Sequence, residues 1–542
     1  MNLTEDLKNI LAGEVDDSES GRQAASRDAS LFSATPKAVV FPRHVQDISA
    51  LVHFATRHKR SLTVRSGGTD MSGGPLGHDI VVAMPKHFNR IHEIKNHTVT
   101  VDPCVWYRDL EAALAPKNLL LPTYPASKDI CTVGGMVANN SAGEKTLSYG
   151  ETADYVRTLH IALSDGQEYM FEALSRSELD AKLSQDNFEG EIYRRTFKLI
   201  EDNYDVIQRA RPNVSKNSAG YALWDVWNRE RQIFDLTRLF SGSQGTLGII
   251  TNITFGLVTP RPHSQMLVLF LRDLAPLAEI VKTVLTYAPE SFESYDDHTL
   301  RLAIRFLPAL MRKMKTRNLL SLLLSFAPEF KMVLTGGLPQ LVLLAEFTGH
   351  EPQEIAQRVQ AAQAALRHFA VQMYPISSPA EASKYWTIRR ESFNLLREHA
   401  QGAHAAPFID DIIVNPQYLP EFLPRLNEIL SHYDLTYTIA GHVGDGNFHI
   451  IPLMDVSRPD FAETIEKLSN EVYDLVLEYK GSAAAEHNDG LIRSHYLKKM
   501  FGEQIYNLFV ETKNIFDPNN IFNPGKKVGA DWEKAKKYLI KN

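Results

Sequence analysis

At 542 residues, with 58 Lys and Arg against 65 Asp and Glu and a net charge of −7, the chain is long enough for two or three domains with cores of their own. It has no basic field of the kind that grips a polyphosphate backbone, so nucleic acid is set aside as a partner. Its two cysteines, Cys104 and Cys131, are too few for a cysteine-ligated iron–sulfur cluster and point to a reducing compartment, so any electron transfer must use another cofactor.

Residues 1–35 are polar and read as an N-terminal extension, an entry helix followed by a loop. The acidic start lacks the basic and apolar regions of a secretory signal, which makes the cytoplasm the expected location. A short strand at 38–42, an amphipathic helix at 45–57 and a strand at 61–65 form an α/β unit. The last strand runs into Arg65-Ser66-Gly67-Gly68-Thr69 and Ser72-Gly73-Gly74, where glycines and hydroxyls let backbone N–H groups converge on an anion. Glycine-rich turns after strands are more often plain turns. A second such loop changes the balance: Pro125-Ala126-Ser127, then Thr132-Val133-Gly134-Gly135-Met136-Val137-Ala138-Asn139-Asn140-Ser141-Ala142-Gly143, ending at Tyr149-Gly150. Two separate anion cradles suit a dinucleotide pyrophosphate, and neither is the G-x-G-x-x-G turn of a Rossmann helix.

Further strands are expected at 80–84, 98–101, 158–162 and 248–254, and helices at 106–116 and 191–203. The breaker cluster Thr259-Pro260-Arg261-Pro262 ends this first domain near Val258. Strands at 265–271 and 341–347, each followed by a helix (274–287 and 354–369), predict an α+β cap with an antiparallel sheet and its helices on one side. From His298 to Pro328 no acidic residue occurs, while Arg301, Arg305, Arg312, Lys313, Lys315 and Arg317 alternate with apolar residues. A solvated helix pair over a core is the plainer reading of such a run; a basic interfacial helix is the other. The turn-dense 516–526 stretch reads as a tail that returns to the first domain.

Two more stretches carry chemistry. In Ala440-Gly441-His442-Val443-Gly444-Asp445-Gly446-Asn447-Phe448-His449, the Asp445-Gly446 turn predicts a reversal that brings His442 and His449 together. Ala484-Ala485-Glu486-His487-Asn488-Asp489-Gly490 adds a carboxylate and a further imidazole. A lone histidine is usually a surface or core residue. Two imidazoles with one carboxylate make a ligand set that leaves positions open for a substrate.

With Ser241-Gly242-Ser243-Gln244-Gly245-Thr246-Leu247-Gly248-Ile249-Ile250 and Asn523-Pro524-Gly525-Lys526 added, residues 36–528 resemble the flavin dehydrogenases with a vanillyl-alcohol-oxidase-type FAD domain, in the D-2-hydroxyacid dehydrogenase branch. The resemblance implies an α+β chain: a two-subdomain PCMH-type FAD-binding domain over 36–258, a cap with the substrate and metal site over 259–500, and a C-terminal segment over 501–542 packing back on the FAD domain. It implies FAD held by Arg65, Ser66, Gly67, Gly68, Thr69, Ser72, Pro125, Thr132, Gly134, Gly135, Asn139, Asn140, Gly143, Gly248, Ile250 and Asn523.

Thr69 stands where relatives carry a tethering histidine, and Cys131 lies beside the cysteinyl attachment position, so the FAD is expected to be non-covalent. Gln244 replaces the family's usual Glu. The resemblance further implies His442, His449 and Glu486 as ligands of a divalent metal (zinc, manganese or iron), His487 as catalytic base, and Arg389, or its neighbour Arg390, as the clamp on a substrate carboxylate. A helix-surface salt bridge with Glu391 or Glu398 is the plainer role for that pair.

The implied reaction is oxidation of a D-2-hydroxy acid to the 2-oxo acid. Ile451, two positions after His449, favours a small substrate such as lactate or glycolate. Electrons would pass to a quinone, a cytochrome or an electron-transferring flavoprotein, with peripheral contact at the inner membrane face tied to the basic stretch. Competing readings are a non-catalytic FAD subunit of a multi-subunit dehydrogenase and a flavin alcohol or sugar oxidase that needs no metal.

Overall fold

Three sheets order the computed structural model, which describes residues 2–305, 337–399 and 403–541. In the first, Ala38–Phe41, Ile80–Ala83 and Leu62–Arg65 run parallel, with Val40 opposite Val82 and Val64 opposite Val82. Val40, Leu62, Ile80 and Val82 are buried beneath the amphipathic helix Val45–His58, whose Ile48, Leu51, Val52 and Ala55 form one apolar stripe, while Val39 and Val81 pack with Ala25. Glu14–Asp16 adds an antiparallel edge strand to Ala38–Phe41. The N-terminal extension thus has its entry helix, Leu3–Ile10, but continues into this sheet rather than into a plain loop; three residues with no apolar alternation gave no strand signal.

The second sheet is antiparallel, in the order Ile91–Lys95, Thr98–Val101, Ile249–Gly256, Val156–Ala162, Glu168–Ser175, Ile233–Asp235, Trp227–Asn228. Its core takes in Val101, Leu159, Ile161, Phe171, Phe240 and Ile253, together with Ile505, Phe509 and Phe516 of the helix Leu497–Phe516.

The third sheet, also antiparallel, runs Gln372–Ile376, His263–Leu271, Leu341–Gly349, Ser291–Asp296, Thr436–His442, Asn447–Met454, His404–Ala405, with Ile412–Ile413 paired to Asn447–Met454. Helices cover both of its faces, not one. Leu277–Leu285, Pro352–Leu366, Leu419–Ser431 and Phe461–Glu478 bury one side, while Asp297–Arg305 and Pro379–His399 lie over Met266, Val268, Phe270, Val342 and Leu344 on the other. The run Leu341-Val342-Leu343-Leu344-Ala345 is apolar without alternation because both its faces are inside. Most of the basic stretch lies outside the described residues; within them, Arg301 pairs with Asp297 on the short helix. Among the described residues no helix is long and apolar enough to cross a membrane.

The tail is fastened twice. Leu62 N–H donates to Ile521 O and Asn523 N–H to Leu62 O, while Trp532, Leu539 and Ile540 join the core of the third sheet. At the turn, the buried Lys513 ammonium donates to Thr246 O, Phe522 O and Asp517 Oδ2, and Asp517 accepts from Ile521 N–H and Phe522 N–H. Lys513→Met leaves the Asp517 carboxylate buried without its cation; a loss of about 3–5 kcal/mol is expected, read as a lowered midpoint in denaturant unfolding.

Candidate active site

The strands Thr436–His442 and Asn447–Met454 form the expected hairpin around 443–446, where Gly446 has φ 74° and a Cβ would strike the Val414 carbonyl. The register sets His449 opposite Ala440 and His442 opposite Asn447, so both imidazoles project from one face, with ring centroids 5.3 Å apart. Ile451 follows on that same face and is buried. His487 stacks on His449 at 4.9 Å. The three Nε2 atoms converge on one oxygen, Glu486 Oε1, at 3.3 Å from His442, 3.2 Å from His449 and 3.9 Å from His487.

Each ring is held from behind. Nδ1 of His442 lies 2.7 Å from Glu293 Oε1, Nδ1 of His449 3.1 Å from Asp410 Oδ1, and Nδ1 of His487 2.6 Å from Asp410 Oδ2. A carboxylate only accepts, so each neutral ring carries its hydrogen on Nδ1 and turns the Nε2 lone pair to the common point. Glu293 reaches His442 because Ser294 pairs with Gly441 and Tyr295 with Ala440, which brings Glu293 and His442 opposite each other on adjacent strands. Asp411, beside Asp410, sits at φ 72° and accepts from the backbone N–H of Glu486 (2.8 Å) and of His487 (2.7 Å), fixing that loop. Lys216, wholly buried, donates to Glu486 Oε2 at 2.8 Å.

Charge explains what such a pocket wants. Glu293, Asp410, Asp411, Asp445 and Glu486 are buried, against the cations Lys216, Arg493 and the largely buried Arg389. Carboxylates outnumber these cations, so the pocket favours protonated imidazoles or a bound cation. Burial alone would pull His449 and His487 down, but Asp410 and Glu486 push His449 up to about 10, and Asp410 and Asp411 raise His487. Burial pushes against ionisation of Glu486, yet Lys216 and His442 hold it well below the usual carboxylate range. Asp411, His449, Glu486 and His487 offer donor atoms within 4.8 Å of one another. Nitrogen and oxygen donors with carboxylates behind them fit a divalent transition metal.

The expected carboxylate clamps are both engaged. Arg389 Nε lies 2.5 Å from Glu293 Oε2, on the far side of the carboxylate that holds His442. Arg390 forks onto Glu144 at 2.6 and 2.7 Å and stacks over Trp386. Both pairs reach across the fold rather than along the helix.

The two glycine-rich loops meet each other. A Cβ on Gly67 would lie 3.1 Å from Ile130 O, and one on Gly135 2.9 Å from Ser66 Oγ. Gly134 N–H donates to Pro103 O, and a Cβ there would lie 2.5 Å from Pro103 Cβ, so only glycine lets the short helix Val133–Asn139 sit down. Thr132 precedes that helix without a side-chain capping bond, and Arg65 Nη1 and Ser241 Oγ are buried without a hydrogen-bond partner. Orphaned donors in three separate loops of the motif set fit a bound phosphate-bearing cofactor.

The other residues of the expected set frame the loops. A Cβ on Gly68 would crowd the Arg65 guanidinium, and Thr69 follows it. Asn140 Oδ1 accepts from Ala153 N–H, Gly143 packs on Tyr124 O beside Pro125, and Gly248 and Ile250 sit on Ile161 across the second sheet. Asn523 Nδ2 donates to Gly74 O and Gln244 O.

One segment joins both halves. Asn488 Nδ2 donates to Asn139 O and Gly242 O, Gly490 N–H to Gln244 Oε1, and Leu491 N–H to Ser72 O. Gln244 Nε2 in turn donates to Ser72 Oγ at 3.1 Å. An amide at position 244 both gives and accepts, which a carboxylate could not do.

Residues 261–527 match the family model for the C-terminal domain of FAD linked oxidases, and residues 36–170 match that for an FAD binding domain. The chain belongs to the FAD-linked oxidase family. It is 28% identical over 527 residues to a D-2-hydroxyglutarate dehydrogenase of Pantoea ananatis, covering 95% of this chain and 50% of that one. It is also 28% identical over 548 residues to the glycolate oxidase subunit GlcD of Bacillus subtilis, covering 98% of each. The chain thus spans about half the length of the D-2-hydroxyglutarate dehydrogenases it matches. In fold it superimposes on 4-ethylphenol oxidase from Gulosibacter chungangensis with a TM-score of 0.67 at 16% identity, covering 97% and 96% of the two chains. These neighbours assign the α+β fold, PCMH-type FAD-binding half plus antiparallel cap.

Asp410, Asp411, Glu293 and Lys216 escaped sequence reasoning. Asp410-Asp411 inside the apolar run Phe408-Ile409 to Ile412-Ile413-Val414 was the available signal, since paired carboxylates in a buried segment must find partners. Asp410→Asn keeps the volume but turns one of its two acceptors into a donor. Divalent-cation affinity, measured by chelator competition, is expected to fall about 10–100-fold.

Proposed function

We propose that the protein oxidises a D-2-hydroxy acid to the corresponding 2-oxo acid and hands the electrons to an external acceptor. The observation that carries this reading is the convergence of three imidazoles and Glu486, with Glu486 and His487 on a segment stitched to the glycine-rich loops of the cofactor half. When bound, FAD supplies a two-electron acceptor and a divalent metal on His442, His449 and Glu486 supplies Lewis acidity toward the substrate hydroxyl.

The chain's own groups divide the remaining work. His487, with Nδ1 held by Asp410, presents Nε2 to take the hydroxyl proton, and the carboxylate behind it stabilises the imidazolium that results. Arg389 supplies a planar fork for the substrate carboxylate; its pairing with Glu293 sets its plane next to the His442 ring. Glu293 and Asp410 keep the imidazoles from turning, which protects the geometry on which both proton removal and orientation depend.

The relatives' names span glycolate, D-lactate and D-2-hydroxyglutarate, and the apolar Ile451 beside His449 favours the smaller acids. Quinone, cytochrome and electron-transferring flavoprotein remain the acceptor classes, with membrane contact limited to a peripheral role and the cytoplasm as the location. Anaerobic mixing with a panel of D- and L-2-hydroxy acids is expected to bleach the flavin with D-acids alone. His487→Ala should slow that bleaching by about 10²–10⁴-fold, and an undiminished rate would remove the base assignment.

The FAD is held without a covalent bond. Thr69 offers no nitrogen or sulfur nucleophile, and burial pushes the Cys131 thiol up to about 12, where little thiolate forms. Acid precipitation is expected to release all of the yellow colour into the supernatant; flavin left in the pellet would mean a covalent link.

A further inference from the structure

Lys216 is buried to a degree rare for lysine. It belongs to the cofactor half of the chain, yet the residues after it zip along the metal loop. Ser218 N–H donates to Ala484 O, Asn488 N–H to Ser218 Oγ, and Ser482 Oγ to Asn217 Oδ1. The ammonium therefore has little freedom to leave Glu486.

Its placement is electrostatically costly for a cation site, because a fixed positive charge a few ångströms from the common point opposes any bound metal. A lysine persisting there must do something a neutral residue would not. Its contact is with Oε2 at 2.8 Å, while Oε1 faces the three Nε2 atoms. One oxygen of the ligand is thereby spoken for.

We propose that Lys216 is a positioning residue that holds Glu486 to ligation through a single oxygen and so sets which cation the pocket accepts. This rests on the metal reading given above. A carboxylate restricted to one oxygen beside imidazoles suits a small transition ion. Released, it can offer both oxygens, the arrangement that calcium uses with its long, oxygen-rich shell.

The test uses the full-length, FAD-loaded protein stripped of metal, with Zn²⁺ and Ca²⁺ affinities each measured by chelator competition, and the flavin absorbance confirming that each variant keeps its fold. Lys216→Met is expected to raise Ca²⁺ affinity relative to Zn²⁺ by about tenfold or more, and Lys216→Gln, whose amide can still donate to Oε2, by less. If both cations weaken by the same factor and the ratio stands still, Lys216 is only structural and the proposal falls. The wild type gives a check that needs no variant: it should hold Zn²⁺ at least about 100-fold more tightly than Ca²⁺, and parity between the two would overturn the proposal even if neither variant folds. Wild-type protein that binds neither ion would instead remove the metal reading itself, a separate failure visible before any variant is made.

Discussion

Five buried carboxylates gathered around three imidazoles constrain everything else in this molecule. Such a concentration of negative charge inside a protein is tolerated only when its oxygens have donors or a cation, and the chain meets most of that demand from remote parts of its length, leaving Asp445 Oδ1 without a hydrogen-bond partner. Glu293 comes from one strand, Asp410 and Asp411 from the lead-in to another, His442 and His449 from a hairpin, and Glu486 and His487 from a loop. A register slip of one residue in the Thr436–His442 strand would turn both His442 and its contact with Glu293 to the opposite face. The antiparallel cap sheet is thus less a wall than a jig for donor atoms.

The same loop that supplies Glu486 and His487 continues through Asn488 to Leu491, where hydrogen bonds to Asn139, Gly242, Gln244 and Ser72 attach it to the cofactor half. Asn488 sits at φ 62° and Gln244 at φ 52°, so the junction is made by residues in a conformation that costs free energy. That cost is met only when both halves are in place. A shared hydrogen-bonded segment fixes the separation of the two halves more tightly than two surfaces in contact would.

What the sequence discloses follows from how local each signal is. The hairpin around Asp445-Gly446, the glycine loops and the helix at Val45–His58 each advertise themselves within a dozen residues, through turn chemistry or periodicity, and the structure has them where expected. Glu293 lies in Ser-Phe-Glu-Ser-Tyr-Asp, a strand buried on both faces and rich in polar groups, so neither alternation nor an apolar run marks it. Lys216 lies in a loop and matters only because its partner is 270 residues away. Contacts of that kind are fixed by tertiary packing, and no window of sequence contains them. The helices on the second face of the cap sheet were missed for a related reason, since strand burial on both sides reads the same from sequence as a merely apolar strand.

The two neighbouring arginines show how geometry can rank roles that sequence leaves level. Arg390 is about half exposed, forks onto Glu144 in the second glycine-rich loop and stacks on Trp386; its charge is screened by solvent and its fork is already filled by a carboxylate of the fold. Its natural work is to fasten the cap helix to the cofactor half. Arg389 is largely buried and shares Glu293 with His442, so an anion reaching its guanidinium meets a desolvated charge next to the ligand set. Moving the clamp one residue along the helix would rotate it by about 100°, away from the imidazoles. The two side chains therefore serve different partners, Arg389 the carboxylate behind His442 and Arg390 the second glycine-rich loop.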